Sequence, residues 1–138
     1  MIRVQTDDFN PGAELERLRQ QNNGQAGAMV SFTGLVRDLN EGDKITQLAL
    51  EHYPGMTEKA LTKIEAQANA QWELTATLII HRVGPLKPND NIVLVIAASR
   101  HRKQAFEACE FMIDTLKTNA PFWKKESLAD SDRWLTPG

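Results

Sequence analysis

The chain has 138 residues, 41% hydrophobic and 25% charged, with a formal net charge of −2. That suits one domain, residues 1–138, with a core of its own, and excludes a binder that relies on overall charge to hold a long polyanion. A single cysteine, Cys109, excludes an internal disulfide, and no apolar run approaches the roughly 20 residues that span a bilayer. The opening MIRVQTDDFNPG has no apolar signal core, so a cytoplasmic location is expected.

In chain order, Ile2–Thr6 reads as a short strand. Asn10-Pro11 supplies an N-cap followed by a proline at the first helical position, and Ala13, Leu15 and Leu18 line a short helix that Gly24 stops. Gly27–Arg37 alternates as a strand, with Val30, Phe32, Gly34 and Val36 on one face and Met29, Ser31, Thr33, Leu35 and Arg37 on the other. Gly34 within it predicts a bulge or a close approach. Asp38–Lys44 reads as a polar loop, and Ile45–Tyr53 alternates again, with Leu48, Leu50 and His52 on one face. After the Pro54-Gly55 turn, Thr57 is placed to cap a helix whose stripe is Ala60, Leu61, Ile64 and Ala68.

Thr75–Val83 is apolar on both faces, which predicts a central strand; 84–90 reads as a wide turn, and Ile92–Ala98 as the most apolar strand. Ser99 is placed to cap a helix from about Arg100 to Thr118. Its stripe is Ala105, Cys109, Met112 and Leu116, flanked by Phe106 and Ile113, with Lys103, Glu107, Glu110 and Asp114 in water. The order strand, helix, strand, strand, helix, strand from Ile45 onward predicts a split β-α-β unit. The fold expected is a single α+β domain with helices gathered on one face of a mainly antiparallel sheet.

The charge distribution says more than the total. Between Ser99 and Glu126 six Lys/Arg face four Asp/Glu, so this segment is +2 while the remainder is −4. A local basic excess on an acidic protein fits a small anion. Arg100-His101-Arg102-Lys103 puts cations at a helix N-terminus, where each opposes the macrodipole by roughly 0.3–1 kcal/mol unless an anion joins the free N–H groups. KTNAPFWKKE, residues 117–126, encloses Pro121-Phe122-Trp123 between Lys117 and the pair Lys124-Lys125. Lysine stems pack on such a wall while their ammonium groups face a cleft, and a catalytic amine requires burial or a neighbouring cation. Taken singly, Arg100, His101, Arg102 and Lys103 read better as side chains bent back into solvent, and Arg37 as an ordinary surface arginine. Lys117 and Lys124 are more pointed, while the 117–126 stretch reads equally well as a helix end, a proline stop and an edge strand with solvated lysines. Cys109 sits on an apolar stripe and reads as a buried thiol. His52, His81 and His101 lack metal-ligand spacing, and no glycine-rich phosphate loop is present.

These residues together resemble the catalytic, large subunit of molybdopterin synthase. VSFTGLVRDLN (30–40), LALEHYPGMTEKAL (48–61), HRVGPLKPND (81–90), the run 99–126 and DRW (132–134) carry the resemblance. It implies an α/β-hammerhead-like fold and an enzyme that installs a dithiolene on cyclic pyranopterin monophosphate to give molybdopterin. The sulfur then comes from the C-terminal glycine thiocarboxylate of a small ubiquitin-like partner subunit, in a heterotetramer built on a homodimer of the large subunit. It implies Lys117 and Lys124 as catalytic residues, and Arg37, His101, Arg102, Lys125 and Glu126 with them as the substrate site; no metal and no cofactor is expected. A non-catalytic module for a cyclic phosphate or nucleotide is the alternative. A single-stranded RNA reader would need an aromatic strand motif that this chain lacks.

Overall fold

The computed structural model describes residues 1–40, 42–128 and 132–135, the side chains of 39, 40, 43, 123–126 and 135 excepted. In chain order the elements are β1 (Ile2–Gln5), α1 (Pro11–Gln21), β2 (Ala28–Leu35), β3 (Leu39–Asn40), β4 (Asp43–Lys44), β5 (Gln47–His52) and α2 (Met56–Gln71). There follow β6 (Ala76–Arg82), β7 (Gly84–Leu86), β8 (Asn91–Ser99), α3 (Arg102–Asn119), β9 (Phe122–Ser127) and β10 (Asp132–Leu135). One four-stranded sheet has the order β1-β6-β8-β2, with β1 and β6 parallel and the other pairs antiparallel. A second, wholly antiparallel sheet has the order β10-β9-β5-β7, and β3 and β4 form a small hairpin.

The core follows from β6 and β8, whose side chains alternate between two apolar faces. Ile79, Val93, Val95 and Ala97 pack under Leu61, Ile64 and Ala68 of α2 and Ala108, Cys109, Met112 and Leu116 of α3. Leu78, Ile80, Leu94 and Ile96 turn the other way, onto Phe9, Leu15 and Leu18 of α1 and its approach. The helices are therefore not gathered on one face: α2 and α3 cover one side and α1 the other, because a sheet apolar on both sides needs two covers.

The expected single split β-α-β sheet also divides. β5 and β9 leave to build the second sheet, which the sequence hid because the 84–90 turn contains β7. Pro85 is tolerated there because β7 lies at a sheet edge. The polar loop 38–44 likewise holds the β3–β4 hairpin.

Local signals held at some ends and moved at others. Asn10 Oδ1 accepts from the Ala13 N–H at 3.0 Å, with Pro11 opening α1 as expected. The bulge expected near Gly34 is present as a register shift between Gly34 and Leu35. Thr57 does not cap α2: the helix has already begun at Met56, and the Glu58 carboxylate accepts from the Gly55 N–H at 3.2 Å. Ser99 does not cap α3, which starts at Arg102 after His101; the Ser99 hydroxyl donates to the His101 carbonyl. Phe106, expected beside the core stripe, is 60% exposed.

Gly27 ties the start of β2 to the turn before α3. A Cβ there would stand 2.1 Å from the Arg100 carbonyl oxygen, which is backbone and cannot swing aside. Gly27→Ala is expected to destabilise the fold by about 1–3 kcal/mol through this overlap, lowering Tm by several degrees in a thermal melt. An unchanged Tm would show that the turn yields freely.

Candidate active site

α3 is a single helix from Arg102 to Asn119, so it sets the spacing of the cations at its ends. It returns across β8 and β2 after the short Arg100-His101 turn, and therefore runs parallel to β2. The C-terminal ends of β2 and α3 thus lie at one end of the layer. Val36, buried just past β2, is pinned there: its N–H donates to the Asp90 carbonyl at 2.9 Å and its carbonyl accepts from Asn89 at 2.8 Å. Arg37 follows, exposed, and Lys117 is exposed in the last turn of α3.

The chain then leaves α3 through Ala120 and Pro121 into β9. That corner is fastened from an unexpected side. The Thr57 side chain, fully buried, accepts from the Tyr53 N–H at 3.1 Å and donates to the Pro121 carbonyl at 3.1 Å. Phe122 is buried and stacks on the His81 ring, with centroids 3.7 Å apart and planes at 17°. His81 Nδ1 lies 2.8 Å from the Arg82 carbonyl oxygen, which can only accept, so Nδ1 carries the proton. Phe122 is therefore core rather than an open wall for a ligand. Sequence reasoning missed the Thr57 clasp and the His81–Phe122 stack, since neither pair has a local spacing signal.

In β9, Lys124, Lys125 and Glu126 take the register positions opposite Leu50, Ala49 and Leu48; their side chains, like that of Trp123, lie outside the described residues. At the far end of α3, Arg100, His101 and Arg102 are all exposed, and His101 makes no side-chain capping bond. Among the described residues, no ion pair engages Arg37, Arg100, His101, Arg102 or Lys117. Arg102 and Lys117 are fifteen residues apart on an unbroken helix, roughly 22 Å at 1.5 Å per residue. The expected site residues thus fall into two groups, Arg37 with Lys117 and His101 with Arg102, at opposite ends.

Cys109 belongs to neither. Burial pushes its thiol up to about 11, and its Sγ rests 3.7 Å from the Val95 carbonyl oxygen. No group of three or more His, Cys, Asp or Glu among the described residues is placed to hold a metal. Nor is any helix among them long and apolar enough to cross a membrane.

The family model described as MoaE protein matches residues 4–119. The chain belongs to the MoaE family. Among MoaE relatives, the molybdopterin synthase catalytic subunit of Ralstonia nicotianae is 55% identical over 97% of this chain and 76% of its own length. That of Pseudomonas aeruginosa is 54% identical over 97% of this chain and 89% of its own. A solved MoaE protein from Burkholderia ambifaria superposes with a TM-score of 0.86 at 50% identity, covering 99% of this chain and 89% of the other. The crystal structure of molybdopterin synthase from Staphylococcus aureus gives 0.87 at 36% identity, covering 97% and 96%. The MoaE family is thus shown for nearly the whole chain, and with it an enzyme family of molybdenum cofactor biosynthesis.

Proposed function

We propose that this protein is the catalytic subunit of a molybdopterin synthase, converting cyclic pyranopterin monophosphate into molybdopterin with sulfur from the C-terminal glycine thiocarboxylate of a small ubiquitin-like partner. The observation that carries the reading is that β2, followed by Arg37, and α3, whose last turn bears Lys117, finish at the same end of their layer, where α3 passes through the Thr57-fastened corner into the strand bearing Lys124, Lys125 and Glu126. A cyclic phosphate is an anion, and a guanidinium offers it paired donors. Arg37, His101, Arg102, Lys125 and Glu126 hold and orient the substrate. Lys117 moves a proton or holds the pterin intermediate. Lys124 faces the terminal thiocarboxylate.

The separation along α3 adds a condition. A compact pterin monophosphate does not bridge roughly 22 Å, so His101 and Arg102 reach the substrate from a second copy of the chain, in the homodimer at the centre of a heterotetramer. The cytoplasm is the compartment inferred for this work.

The deciding experiment is turnover of the cyclic monophosphate by the purified chain with its thiocarboxylated partner. A non-catalytic binding module would hold the ligand and form no product. Lys124→Glu is expected to remove one charge-assisted contact, worth about 1.5–3 kcal/mol, and so to slow single-turnover sulfur transfer at least tenfold at moderate salt. Unchanged transfer and partner affinity would remove Lys124 from this role.

A further inference from the structure

The end of β2 is held by something other than its sheet. The ladder with β8 slips at Gly34–Leu35, where Ile92 is the extra residue, and ends at the pair Leu35–Asn91. Val36 then takes both of its main-chain bonds from the turn 87–90, donating to Asp90 and accepting from Asn89. Its side chain is buried with Leu48, Leu50 and Leu86, and Leu86 leads directly into that turn. On the other side of Arg37, the Asp38 carbonyl accepts from the N–H of buried Ile45 at 2.7 Å. Arg37 is thus an exposed side chain on a backbone fastened immediately before it and immediately after it.

The turn is built to keep its shape. Pro88 stands second and Asn89 third, at φ 76°, and the Asp90 N–H donates to the Lys87 carbonyl at 3.0 Å, the pattern of a type II turn. The Asp90 carboxylate closes it from the opposite direction, with Oδ2 accepting from the Lys87 N–H at 2.8 Å. Among the described residues, Asn89 is the one non-glycine at positive φ. Asparagine tolerates that region, and a β-branched side chain does not. A backbone kept in a sparsely used region points to something it must hold in place. What the Asn89 N–H and the Asp90 carbonyl hold is Val36.

A guanidinium on a flexible stem binds a phosphate better when its backbone is already fixed, because less freedom is lost on binding. Arg37 makes no ion pair among the described residues, so an anion can take its paired donors. We propose that the turn 87–90 positions Arg37 for the substrate's phosphate, with Asn89 and Asp90 as positioning residues that act through Val36. The role of Arg37 rests on the function proposed above; the hold on its backbone rests on the turn alone.

Two variants loosen the turn in different ways: Asn89→Val strains its backbone, and Asp90→Ala removes its second bond. In either one the Val36 amide is expected to exchange hydrogen at least about tenfold faster, with the Val95 amide in the core unchanged. In single-turnover assays with the thiocarboxylated partner, the half-saturating concentration of the cyclic monophosphate is expected to rise about tenfold. The limiting rate should stay within about twofold, since lost ground-state binding moves half-saturation alone. Asn89→Gly keeps the backbone conformation and Asp90→Asn keeps the acceptor, so both are expected to behave as wild type. Arg37→Ala is expected to raise half-saturation at least as far. Neither turn variant should then add to it, because residues that act through one another are not additive.

A Val36 amide unmoved by both turn variants would overturn the proposal. So would an unchanged half-saturation with a lower limiting rate, the mark of lost fold, or a loss that persists undiminished in the Arg37→Ala background. If one turn variant fails to fold, the other carries the test with its conservative counterpart. A wild-type chain that forms no product, while its Val36 amide responds as expected, would sink the function proposed above and leave the fastening of Arg37 in place.

Discussion

Lys117→Ala is expected to leave the fold and partner binding intact while single-turnover product formation drops by about 10²–10⁴-fold, the usual worth of a positioned proton-transfer group. The fold should survive because Lys117 is exposed and the buried surface of α3 is carried by Ala105, Ala108, Cys109, Met112, Ile113 and Leu116. Lys117→Arg should fail as well: guanidinium keeps a positive charge at this place but stays protonated and cannot act as a base. The arginine variant separates chemistry from electrostatics. Turnover near the wild-type level in either variant would exclude a direct role for the amine, and recovery in the arginine variant alone would reduce Lys117 to a fixed charge.

Mixing two dead proteins should restore life to one site in two. If His101 and Arg102 serve the site of the opposite subunit, a heterodimer of Lys117→Ala with Arg102→Ala has one site with both defects and one with none. Free exchange of equal amounts gives heterodimers as half the population, so about a quarter of wild-type activity should return. The unbroken course of α3 from Arg102 to Asn119 removes the competing explanation that a kink brings the two residues together. Verified heterodimers as inactive as their parents would confine both residues to one subunit, or take Arg102 away from the substrate.

The elements that the sequence made legible are those whose signal is local. Asn10-Pro11 announces α1, since a cap and an N1 proline act within one turn. The run of β-branched and leucine side chains in β6 and β8 announces strands covered on both faces. Illegible was anything decided by pairing at a distance. β7 is three residues whose strand character exists only because β5 lies beside it. The departure of β5 and β9 to a second sheet leaves no periodic mark. Helix starts were misplaced at Thr57 and Ser99 because a hydroxyl can cap or can bond elsewhere: here the Thr57 hydroxyl donates to the distant Pro121 carbonyl and that of Ser99 to the nearby His101 carbonyl. The site divides the same way. The spacing of Arg102 and Lys117 could be counted from the sequence. The placing of Arg37 at the same end of the layer as Lys117, eighty residues later, follows only from β2 running antiparallel to β8 and α3 folding back over both.

One hydroxyl has a bearing on how the molecule comes into being. Thr57 joins the Tyr53 amide, four residues back, to the Pro121 carbonyl, 64 residues ahead. Contacts that close so long a loop form only after much of the intervening chain has found its place. A nascent chain that has emerged as far as α3 already carries Lys117, yet the corner that directs β9 away from it awaits Pro121. The end of the protein proposed for catalysis is therefore assembled from segments synthesised early and late, and takes shape only as the last of them arrives.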